Sequence, residues 1–498
     1  MAKIKKRKKK LKNISKLIIT IIMLVLSLIC FKYVNDLDIL PNKYLYIFLG
    51  ALLIINLIGS LLLFTKGIIT KIFSGILYII LTIISIIGIK YAGNTIEFLK
   101  KGFNNNIEYT IYNVIVPTDS IYTNINDLNK TKMGYLFIDI ENTDYLDKIK
   151  NKVNVELKQL GLEELYDGLL TNDINSIIIN EGYVSLLENE YEDFSEKTKI
   201  LDTIQIEKKT ESKNETIKEL ESINIYLSGS DSRTGVISTS TLSDVNMIVT
   251  INPNTHTVLL TSIPRDYYVQ LHSTTGYKDK LTHAGLYGID MSMNTIGDFM
   301  DTEIDYYVKV GFQSVIKLVD LVGGVDIYSD TSFKSHCGDG GAKRVYIKKG
   351  MNHLNGAQAL SYARERYAYS NGDIHRGQNQ QQVIEAVLNK IMTNKSLLLK
   401  YDSLLNSFSE LYKTNIPKEL ITLLIKQQLE DMSSWTIEKQ TLNGYDGSNY
   451  TYSWPNQYLY VMIPDTKSVE KAVKKIDEVL NPPVVEESNE TNDVISTK

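Results

Sequence analysis

The stretch VNMIVTINPNTHTVLLTSIPRD, Val245–Asp266, settles the architecture of the larger part of this chain. Two apolar, β-branched runs, Val245–Pro253 and Thr257–Asp266, flank the turn residues Asn252, Pro253, Asn254 and Thr255. That spacing predicts an antiparallel hairpin. The second run ends in Arg265 and Asp266, two charges at the tip of an otherwise apolar strand. Upstream, INIYLSGSD (Ile223–Asp231) reads as a third strand that ends in a Gly/Ser turn and an aspartate. Downstream, Tyr307–Leu321 alternates and then turns amphipathic helical, and LVGGVDIY (Leu321–Tyr328) reads as a turn and a strand. Gly356–Tyr362 starts a helix and Arg376–Met392 forms another. Strands interleaved with helices predict an α/β domain, a central mixed sheet with helices on both faces, over 222–480.

Outward to the N-terminus the character changes. The runs Leu17–Val34, Tyr44–Phe64 and Ile72–Ile89 are each about long enough to cross roughly 30 Å of hydrocarbon as a helix. Residues 1–16 carry nine Lys and Arg and no acid. A signal peptide is disfavoured, because no small-residue cleavage site follows the first run and two more runs do. The lysine run could also mark a nucleic-acid or localisation patch, but the positive-inside pattern accounts for it in full. The expected topology is a cytoplasmic tail (1–16), three membrane helices (17–90) and everything after residue 90 outside the cell membrane. The whole chain sums to −4, so its remainder is strongly acidic, which excludes nucleic acid as the main partner. Cys30 and Cys337 are the two cysteines, and with Cys30 in an apolar run no disulfide framework is expected.

Residues 91–210 suggest a small accessory α/β domain, with strands at Thr110–Pro117, Tyr135–Ile140 and Ser176–Asn180 and a helix over Asp144–Leu160. A polar linker, 211–221, follows, and the polar segment 481–498 is expected to be disordered.

One stretch raises a chemical question. YARERYAYSNGDIHRGQNQQQ, Tyr362–Gln382, concentrates Arg364, Arg366 and Arg376 with glutamine and asparagine. Planar, multi-donor heads of this kind suit phosphate. Arg364 and Arg366 point the same way only in extended chain, so one shared site requires the preceding helix to stop near Arg364. Asp373 is placed to cap the next helix. On that helix Arg376, Gln380, Val383, Ile384, Val387 and Ile391 share a stripe, an anion-binding first turn that becomes aliphatic. The pattern fits a ligand with a phosphate head and an apolar tail. Arg376 could instead reach outward to solvent with Gln380 as filler. Asp231 and Asp244 flank a Ser/Thr-rich loop, and two carboxylates beside phosphate suit Mg2+.

Taken in order, SGSDSR (Ser228–Arg233), LSDVNMIVTINP (Leu242–Pro253), SIPRDYYV (Ser262–Val269), LVGGVDI (Leu321–Ile327), LNGAQALSYARER (Leu354–Arg366) and GDIHRGQNQQQ (Gly372–Gln382) resemble the LytR-CpsA-Psr family over about 222–395. Three spans and an extra outer domain resemble its capsule-type branch. The resemblance implies a phosphotransferase that moves a glycopolymer, capsular polysaccharide or teichoic-acid-like, from undecaprenyl diphosphate to peptidoglycan with Mg2+. It implies Asp231 and Asp244 as metal ligands and Arg233, Arg265, Arg364, Arg366, Arg376 and Gln380 as diphosphate contacts. Membrane lipid and capsule-assembly proteins are the other implied partners. Arg265 stands as a catalytic candidate, and Asp373 and Asp266 as candidate bases. Two positions depart from the family pattern: Leu242 and Gln378 stand where many members have arginine. A non-catalytic polyprenyl-phosphate-binding regulator and a lipid-diphosphate pyrophosphatase are the alternatives. No Ser/His/Asp set with triad logic is seen in the sequence.

Overall fold

The computed structural model describes residues 2–103, 107–136, 144–209, 217, 219–230, 237–338, 344–393, 412–431 and 433–483. The expected disordered tail, from residue 484, and most of the expected linker lie outside them.

Three helices open the chain: α1 (Ala2–Leu37), α2 (Asn42–Phe64) and α3 (Ile68–Phe103). Each contains a segment long and apolar enough to cross a membrane. They pack through Met23, Leu52, Tyr78 and Leu81. Asn56 Nδ2 donates to Ser27 Oγ at 2.8 Å, an interhelical polar contact of the kind that ties apolar helices together.

A five-stranded sheet follows, ordered β3-β2-β4-β1-β5. Its strands are β1 (Ile107–Pro117), β2 (Lys132–Leu136), β3 (Glu156–Leu160), β4 (Ser176–Asn180) and β5 (Thr198–Lys209). Helices α4 (Asp144–Lys152), α5 (Leu162–Leu170) and α6 (Glu181–Glu190) accompany it. The helix expected over Asp144–Leu160 is therefore corrected. It stops at Lys152, and Glu156–Leu160 becomes a strand parallel to β2, with Glu156 N donating to Thr131 O at 2.9 Å. Pairing with β2 overrides a helical apolar spacing, Ile149, Val153, Leu157 and Leu160, that runs through the strand.

The second sheet is six-stranded and mixed. Its strands are β6 (Ile223–Ser230), β7 (Val245–Asn252), β8 (Thr257–Ile263), β9 (Tyr306–Gly311), β10 (Tyr412–Thr414) and β11 (Thr436–Thr441), in the order β10-β9-β6-β7-β8-β11. The expected hairpin forms, with Ile248 opposite Thr261. Strand periodicity then sorts side chains between two faces. Tyr226, Ile248 and Leu259 pack against α7 (Ile289–Met300) and a C-terminal helix, α12 (Thr466–Leu480). Met247 and Leu260 face the other way, toward Ile384 on α10 (Gly372–Thr393). That face is also covered by α8 (Phe312–Leu321) and α9 (Gly356–Ala363).

The two α/β units share one core. Tyr183, Leu186, Leu187 and Phe194 of the first pack with Leu242, Leu286, Trp454 and Leu459 of the second. On the opposite flank α3 packs against β10 and against α11 (Lys418–Asp431), and Lys426 Nζ pairs with Asp38 at 2.6 Å.

Candidate active site at the sheet end

Helix α9 ends at Ala363, and Arg364 has φ −96° and ψ −7° as its C-cap. The following turn is shaped by Glu365, which is 1 % exposed. Its carboxylate accepts backbone N–H groups from His336 at 2.5 Å, Tyr367 at 2.8 Å and Ala368 at 3.1 Å. A carboxylate bonded by three amides holds the backbone firmly, and both neighbouring arginines face one cavity. Glu365 is not among the residues expected at the site, although an acid locked between two arginines is the signal the sequence offers for it.

Helix α10 begins at Gly372, so Asp373 lies in its first turn rather than at the cap expected for it. Gly377 lets this turn lie against β8, since a Cβ there would sit 2.5 Å from Ser262 Oγ. The glutamine-rich run then divides by helical face. Asn379 Nδ2 donates to Tyr362 O at 3.1 Å, and Gln381 Nε2 to Leu260 O at 3.0 Å and Gln440 O at 2.6 Å. Gln382 accepts from Tyr362 OH at 2.9 Å. These three staple the helix in place. Arg376 and Gln380 are left facing the cavity.

That cavity has a volume of about 790 Å3. Its polar end holds Arg265, Arg364, Arg366, Arg376, Gln380 and Asp244. Its apolar end is lined by Val383, Ile384 and Val387 of α10, by Val315 and Leu318 of α8 and by Ile421 of α11, among others. The stripe proposed from sequence thus runs along one wall, and Arg376 turns inward, 8 % exposed.

The charges are tightly interlocked. Arg265 NH1 donates to Asp244 Oδ1 at 2.6 Å, and its Nε lies 3.4 Å from Asp266 Oδ2. Asp266 also has Lys280 Nζ at 3.6 Å. Asp373 Oδ1 lies 3.0 Å from Arg376 NH2 and 3.5 Å from Arg366 NH1. Burial alone would raise the Asp244 carboxyl, but Arg265, Arg376 and Arg364 outweigh it and hold Asp244 below the ordinary carboxylate range. Asp266 is likewise held low, against burial, by Arg265 and Lys280. The Arg376 guanidinium is pushed downward, first by burial and then, against Asp373, by Arg265. It stays charged at neutral pH. Crowded, desolvated positive charge of this kind favours a multivalent anion.

Asp266 and Asp373 are not among the residues lining the cavity; each pairs with arginines that are. Asp231 and Arg233 lie outside the described residues. Leu242 has a physical role of its own, since it is 6 % exposed within the core shared by the two α/β units. It also lines the cavity, beside Asp244, so the position contributes an apolar surface to the polar end. The first α/β unit also reaches the cavity, through Glu181, Ser185, Glu188, Asn189 and Ser195, with Ser195 Oγ donating to Glu188 at 2.7 Å. No sequence signal marked these residues as part of the site.

The sequence model of the LytR_cpsA_psr family matches residues 189–477. The match takes in β5, which pairs with β1 in the first sheet. Among curated proteins, the chain is 34 % identical over 241 residues to "Polyisoprenyl-teichoic acid--peptidoglycan teichoic acid transferase TagV" of Bacillus subtilis (strain 168), covering 48 % of this chain and 60 % of that protein. It is 33 % identical over 235 residues to the TagU transferase of Bacillus cereus (strain ATCC 14579), covering 46 % of this chain and 73 % of that protein. Among solved structures, Bacillus subtilis TagV superposes with a TM-score of 0.43 at 31 % identity, covering 53 % of this chain and 98 % of that one.

Proposed function

Because the chain belongs to the LytR-CpsA-Psr family, we propose that it is a membrane-anchored phosphotransferase that moves an anionic glycopolymer from a polyprenyl diphosphate to peptidoglycan. The observation that carries this reading is the single cavity joining four guanidiniums to an apolar tube. A diphosphate needs the first and a polyprenyl chain the second. The names of TagV and TagU favour a teichoic-acid-like polymer over a capsular polysaccharide. The basic N-terminal tail faces the cytoplasm and the two α/β units face the cell wall, in keeping with the positive-inside pattern.

A hydroxyl oxygen of peptidoglycan bonds to the phosphorus that carries the sugar. The bond from that phosphorus to the bridging oxygen breaks, and polyprenyl phosphate leaves with the electron pair. A phosphodiester remains between polymer and peptidoglycan. Arg265, Arg364, Arg366 and Arg376 spread the charge that builds on the departing phosphate, the dominant requirement in phosphoryl transfer. The apolar tube holds the lipid and thereby positions the diphosphate. The hydroxyl proton passes to a carboxylate. Asp373 and Asp266 are the two candidates, and each is already ion-paired, Asp373 with Arg376 at 3.0 Å and Asp266 with Lys280 at 3.6 Å.

The donor set fits Mg2+. Asp244 shares the cavity wall with Ser230 Oγ and Thr241 Oγ1, which are buried with no hydrogen-bond partner among the described residues. Hard oxygen donors of this kind, completed by phosphate oxygens, suit the ion. Asp231, next in sequence to Ser230, would supply the second carboxylate. When bound, Mg2+ would neutralise diphosphate charge beside these residues.

The test uses the full chain in detergent with a glycan on polyprenyl diphosphate, peptidoglycan glycan strands and Mg2+, read by mass spectrometry. Glycan joined to peptidoglycan through a phosphodiester, lost with EDTA, is expected. Phosphorylated glycan released without joining would identify a pyrophosphatase instead. Lipid binding without turnover would identify a regulator.

A further inference from the structure

Beyond β11 the chain forms a hairpin of β12 (Gly444–Tyr450) and β13 (Tyr458–Pro464). Tyr450 pairs with Tyr458, Ser448 with Tyr460 and Asp446 with Met462. Strand periodicity places the first two pairs on one face, while Leu459 and Val461 point to the core; at Met462 the alternation ends, and that side chain packs in the core with Tyr267 and Leu442. Tyr458 is 60 % exposed and Tyr460 44 %. Three of the rings lie in series, and Tyr460 follows Tyr458 two residues on along the same face. Tyr277 lies 5.6 Å from Tyr450, and Tyr450 lies 4.2 Å from Tyr458. Tyr460 OH donates to Asp446 at 2.7 Å.

The strip leads to the reacting centre. Met462 N donates to Asp266 O at 2.7 Å, placing β13 alongside the Arg265–Asp266 segment. The Tyr460 phenol, pushed upward first by burial and by Asp446, also feels Asp266 and Asp373. None of Tyr277, Tyr450, Tyr458 and Tyr460 lines the cavity, at its apolar or its arginine end, so the strip lies outside the lipid and diphosphate site.

We infer that this tyrosine strip is the platform for the acceptor, a neutral glycan strand of peptidoglycan laid across the rings with its free hydroxyl delivered to the arginine cluster. The inference rests on the phosphotransfer reading above. Three features select a glycan. A pyranose ring has apolar C–H faces and a polar rim, and phenol rings edged by Asp446, Ser448 and their own hydroxyls match both. Residues 442–464 contain five tyrosines, one aspartate and no lysine or arginine, which disfavours anionic lipid and nucleic acid. The strip also follows β11, the edge of the sheet opposite β10, and it is β10 that packs against the membrane helix α3. An in-line displacement requires the attacking oxygen to enter opposite the leaving group, and the leaving group here is the phosphate of the lipid in the tube.

The test is co-sedimentation of the full chain in detergent with teichoic-acid-free peptidoglycan sacculi, beside its affinity for polyprenyl phosphate. The double variant Tyr458→Ala/Tyr460→Ala is expected to bind sacculi about tenfold more weakly. Tyr277→Ala, on a separate segment, is expected to weaken binding in the same direction. Polyprenyl-phosphate affinity and the unfolding temperature should be unchanged in both. In transfer assays the double variant should raise KM for glycan strands with kcat preserved. Unchanged sacculus binding in both variants would overturn the inference. So would an equal loss of polyprenyl-phosphate affinity, which would mark a structural or lipid-facing role. If the unsubstituted chain binds sacculi through the strip but transfers nothing, the strip stands and the phosphotransfer reading falls.

Discussion

Replacing Arg265 by alanine separates electrostatics from simple packing. Arg265 pairs with Asp244 at 2.6 Å and lies 3.4 Å from Asp266, and the three side chains are 18 %, 23 % and 8 % exposed. Breaking a buried ion pair on one side costs about 3–5 kcal/mol, because the other charge is left desolvated. Here Asp266 keeps Lys280 at 3.6 Å, so the low end applies, about 3 kcal/mol. For a domain of this size that lowers Tm by roughly 6–12 °C. The pH dependence is the sharper test. In the parent chain Asp244 and Asp266 are depressed. Their ionisation therefore contributes stability that is fully present above the unfolded value of about 3.9 and is lost as pH falls through the folded values. Without Arg265, burial of Asp244 is opposed only by Arg376 and Arg364, so its depression is reduced and the variant has less stability to lose as pH falls and the carboxyl protonates. The gap in Tm should be widest near neutral pH and shrink toward pH 4.5. Unfolding can be followed by intrinsic fluorescence of the full chain, since both tryptophans, Trp435 and Trp454, lie in this domain. A gap of equal size at both ends of that range would refute the electrostatic account. Transfer should fall about 100- to 1000-fold in the same variant.

Val387→Glu sets a carboxylate in the apolar tube and should weaken polyprenyl-phosphate binding about a hundredfold while inorganic pyrophosphate still binds, measured by calorimetry. Asp373→Asn should lower kcat about a hundredfold with polyprenyl-phosphate affinity preserved; a parallel loss of that affinity would reduce Asp373 to holding Arg376 and Arg366 in place. Glu365→Ala frees three backbone amides and should cost about 2–3 kcal/mol, with loss of transfer exceeding that of a cavity variant of equal stability. Equal losses would show that the Arg364–Arg366 turn needs no such clamp.

Much of the fold was legible because burial leaves a period in the sequence. Met247 and Ile248 alternate between two faces of β7, and the stripe Arg376, Gln380, Val383, Ile384, Val387 forms one cavity wall. These patterns depend only on local geometry, 2.0 residues per repeat in a strand and 3.6 in a helix. The helix stop at Ala363 was legible conditionally, as what two arginines two residues apart require if they serve one site.

What the sequence by itself determined was therefore the class of each segment, three apolar spans followed by α/β sequence, and the chemical character of one wall, arginine passing into aliphatic residues. Only the tertiary structure decided which of the remaining polar groups serve that wall. It assigned Asn379, Gln381 and Gln382 to stapling a helix, and Glu188 and Ser195 of the first unit to the cavity of the second. It also turned Glu156–Leu160 into a strand by offering β2 as a partner. The physical reason is range. Periodicity is written by neighbours a few residues apart, whereas a hydrogen-bond partner or a packing neighbour tens to hundreds of residues away exists only once the chain has closed on itself.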